Sequence, residues 1–277
     1  MDELDALKTA QLFIAKEIKR VCEKYNIQYF LDSGSMLGAV RHQGFIPWDD
    51  DMDIGMLDKD YQRFLQIAPR EMSDDFFMDN YQNNPDNGLV FSKVRLKGTK
   101  YIESKGNPLA KHNEIFVDVF PYYYISDNEL IRKTEGLLMA IISQAIMSKS
   151  GYKVWKGDSK LKRVKFIPSD IIGHIFSKKT LHSWIDWLYG KHLNTSRVCV
   201  HAGSCYDYWF FPVEIFEKYI SVSFENIDFP IPENYDLYLK VAYGDYMKLP
   251  PVEQRITHQI QQLDLGKYSD YFEKIDK

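Results

Sequence analysis

Leu4, Leu7, Ile14, Ile18, Val21 and Tyr25 recur at helical spacing and predict an amphipathic helix over residues 2–25. Asn26 breaks that pattern, and "NIQYFLDSG" reads as a short strand closed by Gly34. "SMLGAVRH" then predicts a short helix stopped by Gly44. In "DMDIGM" charged and apolar side chains alternate, which is the period of a strand. Residues 58–68 return to helical spacing, and the Asn/Pro/Asp/Gly cluster at 83–88 predicts a loop. "LVFSKVRL" reads as a strand, "EIFVDVFPYYYI" as another ending near Pro121, and a helix follows over about 128–148.

The pattern then changes. "GYKVWKGDSKLKRVK" sets six Lys/Arg against one acid, and "SDIIGHIFSKKTLHSWIDWLYGKH" reads as a second long helical stretch. Short strands, turns at Pro230 and Pro232, and a helix at "ENYDLYLKVAYG" complete the chain. This order predicts a mixed helix-and-strand core over 1–125, followed by a mostly helical lobe with short strands over 126–277.

Composition narrows the classes. A net charge of −4 leaves no excess of positive charge to neutralise phosphates, which argues against a nucleic-acid partner. No run approaches the roughly 18 apolar residues of a membrane span, and the acidic "MDELDALKTAQLF" is unlike a secretory signal. Cys22, Cys199 and Cys205 form no CxxC pair and read as reduced thiols, so the expected location is cytoplasmic. Aromatic residues reach 15%; most of these rings are expected in the core, and a surplus also suits stacking on a sugar, a base or a quaternary amine.

Four aspartates within Asp49–Asp53 are the densest chemistry in the chain. Asp49, Asp51 and Asp53 match the first three ligands of a calcium loop, but Ile54 and Asp60 stand where it needs glycine and glutamate. A metal–diphosphate "DDxxD" needs a helix, which Pro47 and Gly55 oppose. If "DMDI" is a strand, Asp51 and Asp53 share one face and can hold a hard cation such as Mg²⁺, while Met52 and Ile54 enter the core. Gly34 and Ser35 at a helix start suit a phosphate. Asp118, between Val117 and Val119, fits a third carboxylate on a neighbouring strand; a strand-end turn or a salt bridge fits the same pattern.

Gly-Ser, then an apolar-flanked Asp-x-Asp, then a lone Asp on a later strand resembles the nucleotidyltransferase superfamily with a polymerase-β-like core. "YFLDSGSMLGAVRHQGFIPWDDDMDIGM" is more particular and resembles the LicD family of phosphocholine transferases, to which fukutin-related protein is also similar. "FSKVRLKGT", "IFVDVFPYY" and "YLKVAYGDYMKLPPVEQRITH" extend the likeness to about residue 265. The resemblance implies an α+β fold, a nucleotidyltransferase mixed-sheet core with an appended mostly helical lobe. It implies Mg²⁺-dependent transfer of phosphocholine from CDP-choline to a sugar hydroxyl of a teichoic-acid or lipopolysaccharide precursor. Another CDP-linked phospho-alditol is the nearest alternative, and a non-catalytic, cation-stabilised glycan-binding protein the more distant one.

On that basis Asp51, Asp53 and Asp118 are the expected catalytic and metal-binding residues, with Asp118 alternatively a general base. Asp49 and Asp50 are expected to orient the turn. Gly34, Ser35, Arg41, His42, Lys93, Arg95, Arg255 and His258 are the candidates for binding the donor, with Arg255 and His258 read as three apart on a helix. Lys93 and Arg95 share one face of a strand and fit either phosphate contacts or structural ion pairs. A cage for the choline ammonium can draw on Tyr122–Tyr124 or on Tyr206, Tyr208 and Trp209. The expected acceptor is lipid-linked or an oligosaccharide. The basic segment 153–165 fits a solvated face or peripheral contact with the anionic inner membrane surface that would present it.

Overall fold

The computed structural model describes residues 2–103, 111–152, 166–200, 210–255 and 260–275. In chain order the first elements are α1 (Glu3–Tyr25), β1 (Phe30–Leu31), α2 (Ser33–His42), β2 (Asp53–Leu57), α3 (Asp58–Glu71) and β3 (Phe76–Asp79). Next come β4 (Ser92–Leu96), β5 (Lys100–Glu103), β6 (Phe116–Ile125), α4 (Glu129–Lys149), α5 (Ile167–Ile175) and α6 (Lys178–Tyr189). The remainder is β7 (Arg197–Val200), β8 (Phe210–Pro212), β9 (Tyr219–Phe224), β10 (Ile227–Pro232), α7 (Tyr235–Tyr243), β11 (Ile260–Asp264) and α8 (Ser269–Ile275). The fold is a mixed α+β one.

Contacts divide the chain into two compact units, and neither is one continuous stretch. The first comprises Met1–Met78, Lys93–Phe120 and Ile215–Lys277; the second comprises Asp79–Ser92 and Pro121–Glu214. The division therefore runs differently from a single break near residue 125, because the last 63 residues (215–277) belong with the first 78.

In the first unit the strands lie in the order β1-β2-β6-β4-β3. β1 and β2 are antiparallel, with Phe30 opposite Gly55 and Leu31 opposite Ile54. α1 buries Leu7, Ile14, Ile18 and Val21; Asp2 caps its start and Asn26 ends it in the left-handed region at φ 50°. Gly38 lets α2 lie directly on the following loop, since a Cβ there would stand 2.4 Å from the Gly44 carbonyl oxygen. Two antiparallel pairs, β5 with β11 and β9 with β10, complete the unit's strands among the described residues.

In the second unit β7 pairs with residues 122–125 of β6, and β8 pairs with β7. β6 does not end near Pro121 but runs through it to Ile125. Proline lacks the N–H of a ladder residue, and it stands where β6 passes from one unit to the other and takes β7 as its partner. The helical stretch expected at 169–192 is two helices, broken because Ser177 caps a new start by accepting from Thr180 N. The core of this unit joins Met139, Ile142, Leu181 and Ile185 to Tyr123, whose ring stacks on Tyr189 at 3.3 Å. Among the described residues no helix is long and apolar enough to cross a membrane. Cys22 and Cys199 are buried free thiols; Cys205 lies outside the described residues.

Candidate active site

The aspartate-rich turn is built in the first unit, between α2 and β2. Asp49 N closes a turn on Ile46 O at 2.9 Å, which accommodates Pro47 and Trp48. Met52 O accepts from Asp118 N at 3.1 Å, so the approach to β2 lies beside β6 and brings Asp118 to the same region. Met52 and Ile54 enter the core as the alternation predicts. Asp53, the first residue of β2, is buried as well, with 8% of its surface exposed.

The electrostatics of that carboxyl define the site. Burial pushes the Asp53 carboxyl well above the usual carboxylate range, and Asp51, Asp118, Asp32 and Asp49 push in the same direction. Five acids therefore share one field. Among the described residues no three Asp, Glu, His or Cys side chains are gathered tightly enough to form a ready metal cage. Instead, Lys93 Nζ donates to Asp118 Oδ1 at 2.6 Å and stands 3.3 Å from the centre of the Phe116 ring. Asp118 is thus ion-paired with Lys93 in this arrangement.

Two residues of this field were not singled out from the sequence. Asp32 is fully buried; its Oδ1 accepts from Ser33 N (2.8 Å) and from the Tyr238 hydroxyl (2.5 Å). These bonds hold Ser33 at φ 45°, a strained value for a residue with a side chain, at the mouth of α2. Asp before a predicted helix is an N-cap signal, so Asp32 was legible in principle. Tyr243, at the end of α7, was not. Although 37% of the residue is exposed, its phenol is pushed up by the loss of water around the hydroxyl and then by Asp53, Asp32, Asp49 and Asp51, so it stays a neutral hydrogen-bond donor.

The other candidates fall into three groups. Gly34 and Ser35 work on the turn: a Cβ on Gly34 would lie 2.7 Å from Asp49 Oδ2, and Ser35 Oγ accepts from Asp53 N at 2.9 Å. Lys93 and Arg95 share one strand face, as their alternation predicts, and both approach the Phe116 ring. Arg95 also donates to Glu114 O at 2.9 Å, which ties it to the backbone.

Arg41, His42 and Arg255 form the third group. Arg41 Nε donates to His42 Nε2 at 2.9 Å, so that nitrogen accepts, which requires neutral His42. Burial, then Arg255, lowers the proton affinity of Arg41; burial, then Arg41, lowers that of His42. Arg255 stands 4.7 Å over the Trp48 ring, on whose edge His42 also packs. It closes a short 3₁₀ turn over Val252–Gln254 and does not itself lie on an α-helix. His258 lies outside the described residues.

The expected choline cage is not made by Tyr122 and Tyr123, which are core residues of the second unit at 0% and 6% exposure. Tyr124, the third of the run, is half-buried, so the run leaves one ring partly open and not the two a cage needs. Tyr206, Tyr208, Trp209 and the basic segment 153–165 lie outside the described residues.

Residues 26–139 match the family described as LicD/FKTN/FKRP, nucleotidyltransferase domain. The match takes in Asp32, the aspartate turn, Lys93 and Asp118. Over 255 residues, 87% of this chain and 90% of the relative, the chain is 29% identical to the lipopolysaccharide cholinephosphotransferase LicD of Haemophilus influenzae. It is 31% identical over 113 residues to the ribitol 5-phosphate transferase FKRP of Homo sapiens, covering 39% of this chain and 19% of that protein. An uncharacterized protein of Rickettsia prowazekii is 33% identical over 125 residues, which cover 45% of this chain and 44% of the relative.

Proposed function

Since residues 26–139 match the family described as LicD/FKTN/FKRP, nucleotidyltransferase domain, we propose that this protein transfers phosphocholine from CDP-choline to a sugar hydroxyl of a cell-surface glycan precursor. Support for the choline donor comes from the relative named a lipopolysaccharide cholinephosphotransferase, likeness to which spans nearly the whole of both chains. The nucleotidyltransferase reading of the mixed sheet belongs to the same proposal. The single observation that carries it is the shared field of Asp53, Asp51, Asp118, Asp32 and Asp49 around a buried carboxyl.

Burying that much like charge is costly unless a cation joins it. The donors are all carboxylate oxygens, the set that hard Mg²⁺ prefers. We assign Asp51 and Asp53 to hold Mg²⁺, which would have to draw them together, with Asp118 either a further ligand or the base for the acceptor hydroxyl. When bound, it screens the negative charge of the donor diphosphate.

The chain's own residues do the rest. Arg41 and Arg255 meet no carboxylate among the described residues, and each already has part of its guanidinium fixed on a carbonyl. They are therefore oriented to receive phosphate oxygens. Neutral Tyr243 can donate to an oxygen brought beside the aspartates. The acceptor hydroxyl oxygen attacks the phosphorus that bears choline, the bond from that phosphorus to the CMP oxygen breaks, and CMP leaves with the electron pair. The hydroxyl proton goes to a carboxylate, for which Asp118 is the candidate.

A phospho-alditol donor is the second reading, favoured by the core burial of Tyr122 and Tyr123 and by the ribitol 5-phosphate transferase among the relatives. CMP release should be measured from CDP-choline and CDP-ribitol, with Mg²⁺ and a lipopolysaccharide-derived oligosaccharide. Faster release from CDP-choline supports the first reading, and faster release from CDP-ribitol the second. Release from neither, under conditions where either donor binds, sinks both.

A further inference from the structure

Helix α5 is built against the usual rule. Its sequence, "IPSDIIGHI", is strongly apolar, yet the residues it buries are its small ones, Ser169 and Gly173. Ser169 Oγ donates to Gln144 Oε1 at 3.0 Å, and a Cβ on Gly173 would meet Ala145 at 3.5 Å, so this small-residue face is the one laid on α4. Ile167, Ile171 and Ile175, four apart and hence on one side of the helix, are left 47%, 53% and 67% exposed. Single exposed apolar residues need no explanation; an aligned row of isoleucines marks a contact surface.

The sequence that leads into the row identifies what it fits. The thirteen residues 153–165, which lead into α5 with only Phe166 between, carry six Lys/Arg and one acid. Trp155, Leu161 and Val164 are interspersed among them. Past the helix, Lys179 is exposed. An apolar helix face preceded in sequence by a net basic stretch that carries a tryptophan matches the chemistry of an anionic bilayer: acyl chains beneath and negative headgroups above. We infer that the Ile167–Ile171–Ile175 face of α5 docks on an anionic lipid surface, with the adjoining basic stretch supplying the attraction. This inference does not depend on the proposed transfer reaction.

The full chain should be sedimented with vesicles of phosphatidylcholine alone and of phosphatidylcholine with phosphatidylglycerol in equal parts. Binding is expected to the anionic vesicles, falling as salt is raised. Ile171→Glu with Ile175→Glu should reduce it at least tenfold while leaving the melting temperature nearly unchanged, since both side chains face outward. Three results would overturn the inference. One is no binding to anionic vesicles; another is equal binding by the double variant, which would leave only the basic stretch at work. The third is a wild-type dimer that the double variant splits in sedimentation velocity, which would make the face a contact between copies.

Discussion

Lys93 Nζ lies 2.6 Å from Asp118 Oδ1 and 3.3 Å from the centre of the Phe116 ring, and the two charged side chains are only 11% and 13% exposed. A pair so enclosed is costly to break, because the survivor keeps its charge without its partner. Lys93→Met should lower stability by about 2–4 kcal/mol in urea unfolding, and Lys93→Met with Asp118→Asn by clearly less than the sum of the two. Strict additivity would show that the pair is not coupled. If Lys93 also touches donor phosphate, Lys93→Arg should retain stability better than Lys93→Met and still bind donor poorly, since a guanidinium cannot occupy the ammonium's place.

Asp53→Asn separates the electrostatics from the chemistry. Removing one buried charge from among four like ones, at nearly constant volume, should raise the melting temperature without Mg²⁺. Mg²⁺ should stabilise the native chain and have little effect on the variant. Transfer should fall on the order of 100-fold or more. A variant melting below the native chain without Mg²⁺ would mean that Asp53 is held by favourable contacts that outweigh the repulsion.

Arg255→Ala removes the cation from the Trp48 face and relieves the repulsion on Arg41. Donor KM should rise about tenfold or more, the scale of a lost charge-assisted contact, with little change in melting temperature. Unchanged donor KM with a lowered melting temperature would assign the arginine to packing.

The second unit carries its own acid sensitivity. His182 is 3% exposed and stacks on Tyr81 at 4.0 Å. Burial, reinforced by Lys178, lowers its pKa to about 4. The folded state therefore holds the imidazole neutral, whereas the unfolded chain protonates it near pH 6.5. Its contribution is intact above pH 6.5 and is lost as pH falls from there towards 4, by on the order of 2–3 kcal/mol. His182→Phe should flatten that part of the stability–pH curve in denaturant titrations. An unaltered slope would place the acid sensitivity elsewhere.

Much of this arrangement could be read along the chain, and what could not has a common cause. The helix at 129–149, the strand with Lys93 and Arg95 on one face, and the burial of Met52 and Ile54 all follow from local periodicity. Asp51, Asp53 and Asp118 are visible because charge beside apolar residues is unusual in sequence. Tyr238 and Tyr243 look like ordinary helix aromatics, and only the return of 215–277 to the first unit gives them the aspartates as neighbours. Pro121 misleads for a related reason: a residue that ends most strands is tolerated where β6 changes partners. Tyr122 and Tyr123 resemble a ligand cage in composition, but a strand covered on both sides consumes them as core.

The hydrogen bond from Tyr238 to Asp32 joins residues 206 positions apart. On the ribosome, the aspartate turn is complete long before the phenol that secures its N-terminal neighbour has been synthesised. A nascent chain stalled before α7 thus carries a cluster of like charges lacking one of its braces, and contacts this distant in sequence form slowly. Competence for chemistry is then acquired only once residues 235–243 have been made. Truncation of the chain before Tyr238 should disable the acidic centre as surely as a substitution within it.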